Sequence, residues 1–144
     1  MMILFFILAA MQSLAPTREH VENATAIASV VLDEPPLFKD DESRLRTAAL
    51  VVAIAFRESS FDNRAKSKTG DSCLMQVNRR PDLAEDPAKC VRVAMAMLRE
   101  SMRMCPLHPI AFYASGPGAC ENERARKISN DRMALAKRIA RVQP

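Results

Sequence analysis

Apolar and polar positions divide the chain into helical stretches separated by polar breaks. The first is an uncharged segment, residues 1–15, whose apolar run from Ile3 to Met11 is shorter than the roughly 20 residues that span a bilayer. From there to about Pro36 the pattern is irregular, and Asp33-Glu34-Pro35-Pro36 forms a break, so residues 16–40 read as a linker or a short leading helix. A strong helix is predicted from near Asp41, whose carboxylate can cap free N–H groups, through Leu45, Ala48, Ala49, Val52, Ala53 and Phe56. Between Thr47 and Phe56 it is apolar on nearly every side, the pattern of a central, buried helix. It ends in Arg57-Glu58-Ser59-Ser60.

Phe61 to Arg80 is polar and rich in Gly, Asp, Asn and Ser, which predicts a loop or small hairpin anchored by Leu74, Met75 and Val77. Asp86-Pro87 supplies a cap and a first-turn proline, and Val91, Ala94, Met95, Leu98 and Met102 recur at helical spacing. The methionines at 95, 97, 102 and 104 are at core spacing. Pro106 stops this helix, Pro109 to Ser115 make a short one, and Gly116-Pro117-Gly118 ends it. Glu121 to Val142 is predicted helical, with Ile128, Leu135, Ile139 and Val142 inward and a break at Ser129-Asn130-Asp131. Residues 41–144 thus form one mainly α domain.

Composition agrees. A chain of 144 residues is one domain, and 49% apolar with 26% charged residues excludes wholesale disorder and a multi-span membrane protein. Nine Pro, three Gly and no Trp argue against an all-β sandwich or barrel. The net charge of +4 resides in residues 121–144, where seven Lys and Arg face three Asp and Glu. Such a tail suits a solvated helix face or an anionic polymer. It lacks the interleaved aromatic residues of a nucleic-acid binder, so no nucleic acid is expected.

The leading segment has the length of a signal-peptide core, and Ala9, Ala10, Ser13 and Ala15 are the small residues a signal peptidase needs. Pro16 is a poor first mature residue, and no Lys or Arg precedes the apolar run, so residues 1–15 read as a signal peptide or an N-terminal anchor. Membrane contact is expected through this segment alone. Both readings put the protein in the periplasm or cell envelope. Cys73, Cys90, Cys105 and Cys120 then read as two disulfides. Three pairings are possible; Cys105–Cys120 would close a Pro/Gly-bounded segment, which favours it together with Cys73–Cys90. Gaps of 17, 15 and 15 residues lack the close pairs of a zinc site, and no metal or other cofactor is expected. His20 and His108 have no neighbouring pattern of a catalytic base and read as surface or helix-end residues.

Glu58 is the informative position. A carboxyl at the end of a buried apolar helix resists ionisation, and a carboxyl that keeps its proton is what cleavage of a glycosidic bond needs as general acid. The alternative is a simple ion pair with Arg57 or another arginine. Three blocks bear on that choice: Glu58-Ser59-Ser60-Phe61, Gly70-Asp71-Ser72-Cys73-Leu74-Met75-Gln76 and Phe112-Tyr113-Ala114-Ser115-Gly116-Pro117-Gly118. In that order, across Arg44 to Gly118, they resemble the lytic transglycosylases of the soluble-lytic-transglycosylase type, whose pattern runs Glu-Ser-x-Phe, Gly-Leu-Met-Gln, Ala-Tyr-Asn-Ala-Gly.

The resemblance implies a lysozyme-like fold, with a loop or small hairpin after the catalytic helix, and peptidoglycan glycan strands as substrate. It implies Glu58 and Tyr113 as catalytic residues, the phenol orienting the carboxyl, and Ser59, Met75 and Gln76 as substrate-binding residues. The implied reaction uses one carboxyl. Glu58 protonates the oxygen between N-acetylmuramic acid and N-acetylglucosamine, then takes the proton of the muramic C6 hydroxyl as that hydroxyl closes on C1 to give a 1,6-anhydro end. A muramidase would use water and a second carboxylate, for which Asp62 and Asp71 are the nearest candidates, although both read as turn residues. Two departures stand out: Cys73 where the family has Gly, and Ala114 where it has Asn. They leave open a catalytically weak wall-binding or assembly module, and a secretion, conjugation or phage assembly is a candidate partner.

Overall fold

A computed structural model describes residues 2–142. It contains six α-helices: α1 (Met2–Leu14), α2 (Val21–Asp33), α3 (Ser43–Ser59), α4 (Pro87–Met104), α5 (Ala111–Ser115) and α6 (Glu123–Arg141). A two-stranded antiparallel hairpin, β1 (Asp71–Ser72) and β2 (Val77–Asn78), lies between α3 and α4, with Asp71 opposite Asn78 and Ser72 opposite Val77. Short 3₁₀ turns occupy Pro81–Glu85 and Ala119–Glu121. The fold is mainly α.

α3 is the axis of the molecule. Every residue from Thr47 to Ala55 has no exposed surface, because α1, α2 and α6 all pack against it. An all-apolar helix of this kind is stable only when enclosed. The helix begins at Ser43 rather than at a cap from Asp41: Glu42 holds the cap position and makes no side-chain capping bond. Thr47 ties the entry down instead, its hydroxyl donating to the Ser43 carbonyl at 2.7 Å and accepting from the Leu37 amide at 2.9 Å. At the other end Ser60 and Phe61 both take left-handed φ angles, 51° and 65°, which costs a non-glycine residue roughly 1–2 kcal/mol each. Burial of Phe61 against His20 and Phe56 and a bond from the Asn23 amide to its carbonyl offset that cost.

Residues 16–40 contain α2, a full helix of 13 residues whose Ala24, Ile27, Val30 and Val31 enter the core. α1 lies on α2 and α3 and buries Phe6, Ile7 and Met11. None of the described helices is long and apolar enough to cross a membrane. His20 is a helix-end residue, at the N-cap of α2, and not a surface one, being 3% exposed with Nε2 bonded to the Ala15 carbonyl at 2.7 Å.

α4 starts where the sequence places it: the Asp86 carboxylate accepts from the Lys89 amide, with Pro87 in the first turn. Its methionines do not all serve the core, since Met95 is buried, Met97 and Met102 are partly covered and Met104 is exposed. α6 runs unbroken through Ser129-Asn130-Asp131. These polar residues are contacts: Ser129 is fully buried and its hydroxyl accepts from the Ile110 amide, while Asp131 pairs with Arg57. Leu135 and Ile139 face inward, but Val142 is exposed. Two disulfides, Cys73–Cys90 and Cys105–Cys120, fasten the hairpin turn to α4 and close the segment around α5.

Candidate active site

The end of α3, the hairpin, α4 and α5 enclose a groove of about 740 Å³. Glu58 comes from the end of α3, Thr69 from the loop before the hairpin, Asp71, Gln76 and Asn78 from the hairpin, Ala96, Met97 and Glu100 from α4, and Phe112 to Gly116 from α5 and its cap. Its charged lining is three carboxylates, with no lysine or arginine.

The Glu58 side chain is 24% exposed. Burial pushes its carboxyl above the ordinary range; the Arg132 guanidinium, 3.5 Å away, pulls in the opposite direction, and the charge of Asp71 adds a smaller upward push. Burial wins, so the proton is retained to higher pH than on a free glutamate.

Ser59 locks the helix end to the hairpin turn: its hydroxyl lies 2.7 Å from the Leu74 carbonyl and 3.1 Å from that of Ala55. It does not line the groove. The turn residues Cys73 and Gln76 both have left-handed φ, 70° and 52°. At Cys73 this explains the departure from the family pattern: glycine takes such an angle freely, and the cysteine there is held by its bond to Cys90. Gln76 lines the groove while its amide donates to the Ala65 and Cys73 carbonyls.

Met75 is a correction to its expected place in the groove. Its side chain is fully buried, and what it presents is its carbonyl, which accepts the Tyr113 hydroxyl at 2.6 Å. That bond also corrects the expected role of Tyr113, whose proton goes to the Met75 backbone rather than to the carboxyl. Tyr113 still lines the groove, and burial together with the charges of Glu58 and Asp71 raises its phenol well above the ordinary range. It therefore stays protonated. The Tyr113 amide is held by the hydroxyl of Ser101, a fully buried residue of α4.

Asp62 and Asp71 separate clearly. Asp62 accepts from the Arg64 amide in a turn and does not reach the groove. Asp71 lines the groove and accepts from Ser67, Thr69 and Asn78 at 2.7, 3.1 and 2.9 Å. Partial burial opposes its charge, yet these bonds from Ser67, Asn78 and Thr69 hold its carboxyl below the ordinary range. Of the three groove carboxyls, Glu58 is thus shifted toward its protonated form, whereas Asp71 and Glu100 are shifted toward the ionised one, the kind of divergence that assigns acid and base roles in carboxylate pairs. Among the described residues no group of three His, Cys, Asp or Glu could hold a metal ion.

Sequence reasoning missed Arg132, Met97 and Glu100. The last two share a helical face with Ala96, a signal legible in the spacing of α4. Arg132 has no such signal among the seven cations of its segment.

A family model described as Transglycosylase SLT domain matches residues 37–135. Neither the curated proteins nor the solved structures contain a match.

Proposed function

The chain belongs to the Transglycosylase SLT domain family, and from that premise we propose that it is an exported enzyme that cleaves the β-1,4 bond between N-acetylmuramic acid and N-acetylglucosamine in peptidoglycan, with Glu58 as sole general acid and base. The observation that carries the reading is a mostly buried carboxyl, biased toward its protonated form, in the lining of a groove of about 740 Å³. Glu58 donates its proton to the leaving oxygen as the sugar gains oxocarbenium character. The resulting carboxylate takes the proton of the muramic C6 hydroxyl while that oxygen bonds C1. Glu58 ends protonated, and the cut strand carries a 1,6-anhydro end. Tyr113, Gln76, Phe112 and Met97 line the groove in which the strand would lie. Two disulfides support export; α1 packs on α2 and α3 and buries Phe6, Ile7 and Met11, so the proposal does not rest on residues 1–15 being removed.

Asp71 favours a second reading. A groove carboxyl shifted toward ionisation beside one shifted toward protonation is the equipment of a muramidase, which would activate water and leave a reducing end. The test is clearing of purified walls by wild type, Glu58→Gln and Asp71→Asn. The lead reading predicts an inactive Glu58→Gln and a working Asp71→Asn; loss in both favours hydrolysis. Equal clearing by Glu58→Gln removes this carboxyl from the reaction.

A further inference from the structure

Arg132 is the most deeply buried cation of α6, its side chain 16% exposed, whereas that of Arg126 is 40% exposed. One terminal nitrogen, Nη2, lies 3.5 Å from Glu58 Oε1, and the other, Nη1, lies 2.8 Å from Asp131 Oδ2. Asp131 is itself bonded to Arg57 at 3.1 Å. The series Glu58, Arg132, Asp131 and Arg57 therefore joins the end of α3 to the middle of α6. The remaining donor, Arg132 Nε, is buried with no partner. A buried donor left unpaired costs roughly 1–3 kcal/mol, a poor arrangement for a residue whose task is packing.

Arg132 is not part of the groove lining. Its contact with the carboxyl is to Oε1 alone, which leaves Oε2 without an arginine partner. We propose that Arg132 is a positioning residue: it fixes Glu58 by Oε1, assigns the exchanged proton to Oε2, and stabilises the carboxylate between giving up that proton and regaining one. This rests on Glu58 being the acid and base of the reaction. Of the other titratable groups, Asp71 of β1 and Tyr113 of α5 interact with the Glu58 charge, Glu100 of α4 shares the groove lining, and Asp131 of α6 is paired with Arg57 and Arg132.

The sign of one titration separates positioning from mere support. Removing the cation leaves a buried carboxylate with less stabilisation, so the Glu58 midpoint rises. If Arg132 only propped the helices apart, its loss would admit water, and the midpoint would fall toward the ordinary glutamate value. The experiment is a carbon-13 NMR titration of the Glu58 carboxyl, identified by the signal missing from Glu58→Gln. It compares wild type with Arg132→Gln, Arg132→Met and Arg132→Lys. Met preserves the apolar stem should Gln fold poorly.

The expected result is a higher midpoint in the Gln and Met variants, a partial return in the Lys variant, and an alkaline limb of wall clearing that moves with them. An unmoved or lowered midpoint in the neutral variants overturns the assignment. A Glu58→Gln protein that clears walls normally refutes the proposed function instead, whatever the titration shows.

Discussion

At the scale of single residues, the behaviour of the site follows from a competition around one carboxyl. Burial of Glu58 favours its protonated form more strongly than Arg132 favours the ionised one. Replacing it by Gln should lower activity by a factor of about 10²–10⁴, the usual contribution of a general acid, as wall clearing would measure. The same substitution should raise thermal stability at pH 7. Because the folded-state pKa lies above the unfolded value, the unfolded chain ionises first as pH rises, and Glu58 becomes a growing liability to the native state. Below the ordinary value of 4.5 both states are protonated, and melting curves of the two proteins should converge. Asp71 titrates in the other direction, held ionised by Ser67, Asn78 and Thr69. Its stabilisation is present above the unfolded pKa and is lost as pH falls through the lower folded value, so Asp71→Asn should destabilise at pH 7 and lose that effect in acid.

Individual elements explain how much of this is legible in a sequence. α3 could be read directly because ten consecutive residues from Thr47 to Phe56 avoid charge, and only a central helix tolerates that. α6 misleads at Ser129-Asn130-Asp131, which reads as a break because the partners of its polar side chains, Ile110 and Arg57, lie 19 and 74 residues away. The same blindness hid Arg132 and made Asp71 look like an ordinary turn residue. Met75 was placed by its motif, yet a motif does not say which residue offers a side chain and which a carbonyl. Ser129→Ala removes a buried acceptor and leaves the Ile110 amide unpaired; it should cost roughly 1–3 kcal/mol in urea denaturation without altering the groove lining. Converting Cys73 and Cys90 together to Ala should cost about 2–4 kcal/mol. It should also loosen a turn that two left-handed residues strain, with a fall in wall clearing at temperatures where the protein remains folded.

On the scale of the whole molecule, a helical core serves to hold a hairpin, a helix end and a five-residue helix around one groove. α6 backs α3, α4 lines the groove, and the two disulfides fix the hairpin turn and the α5 segment to their supports. The family match begins at residue 37, after α2, so both leading helices lie outside the matched stretch although they complete the enclosure of α3. The most direct test of the account is mass spectrometry of the fragments released from purified peptidoglycan. Wild type should release muropeptides with 1,6-anhydro ends, and Glu58→Gln should release none. Reducing ends from wild type, or anhydro ends from the Gln variant, would contradict a single-carboxyl reaction centred on Glu58.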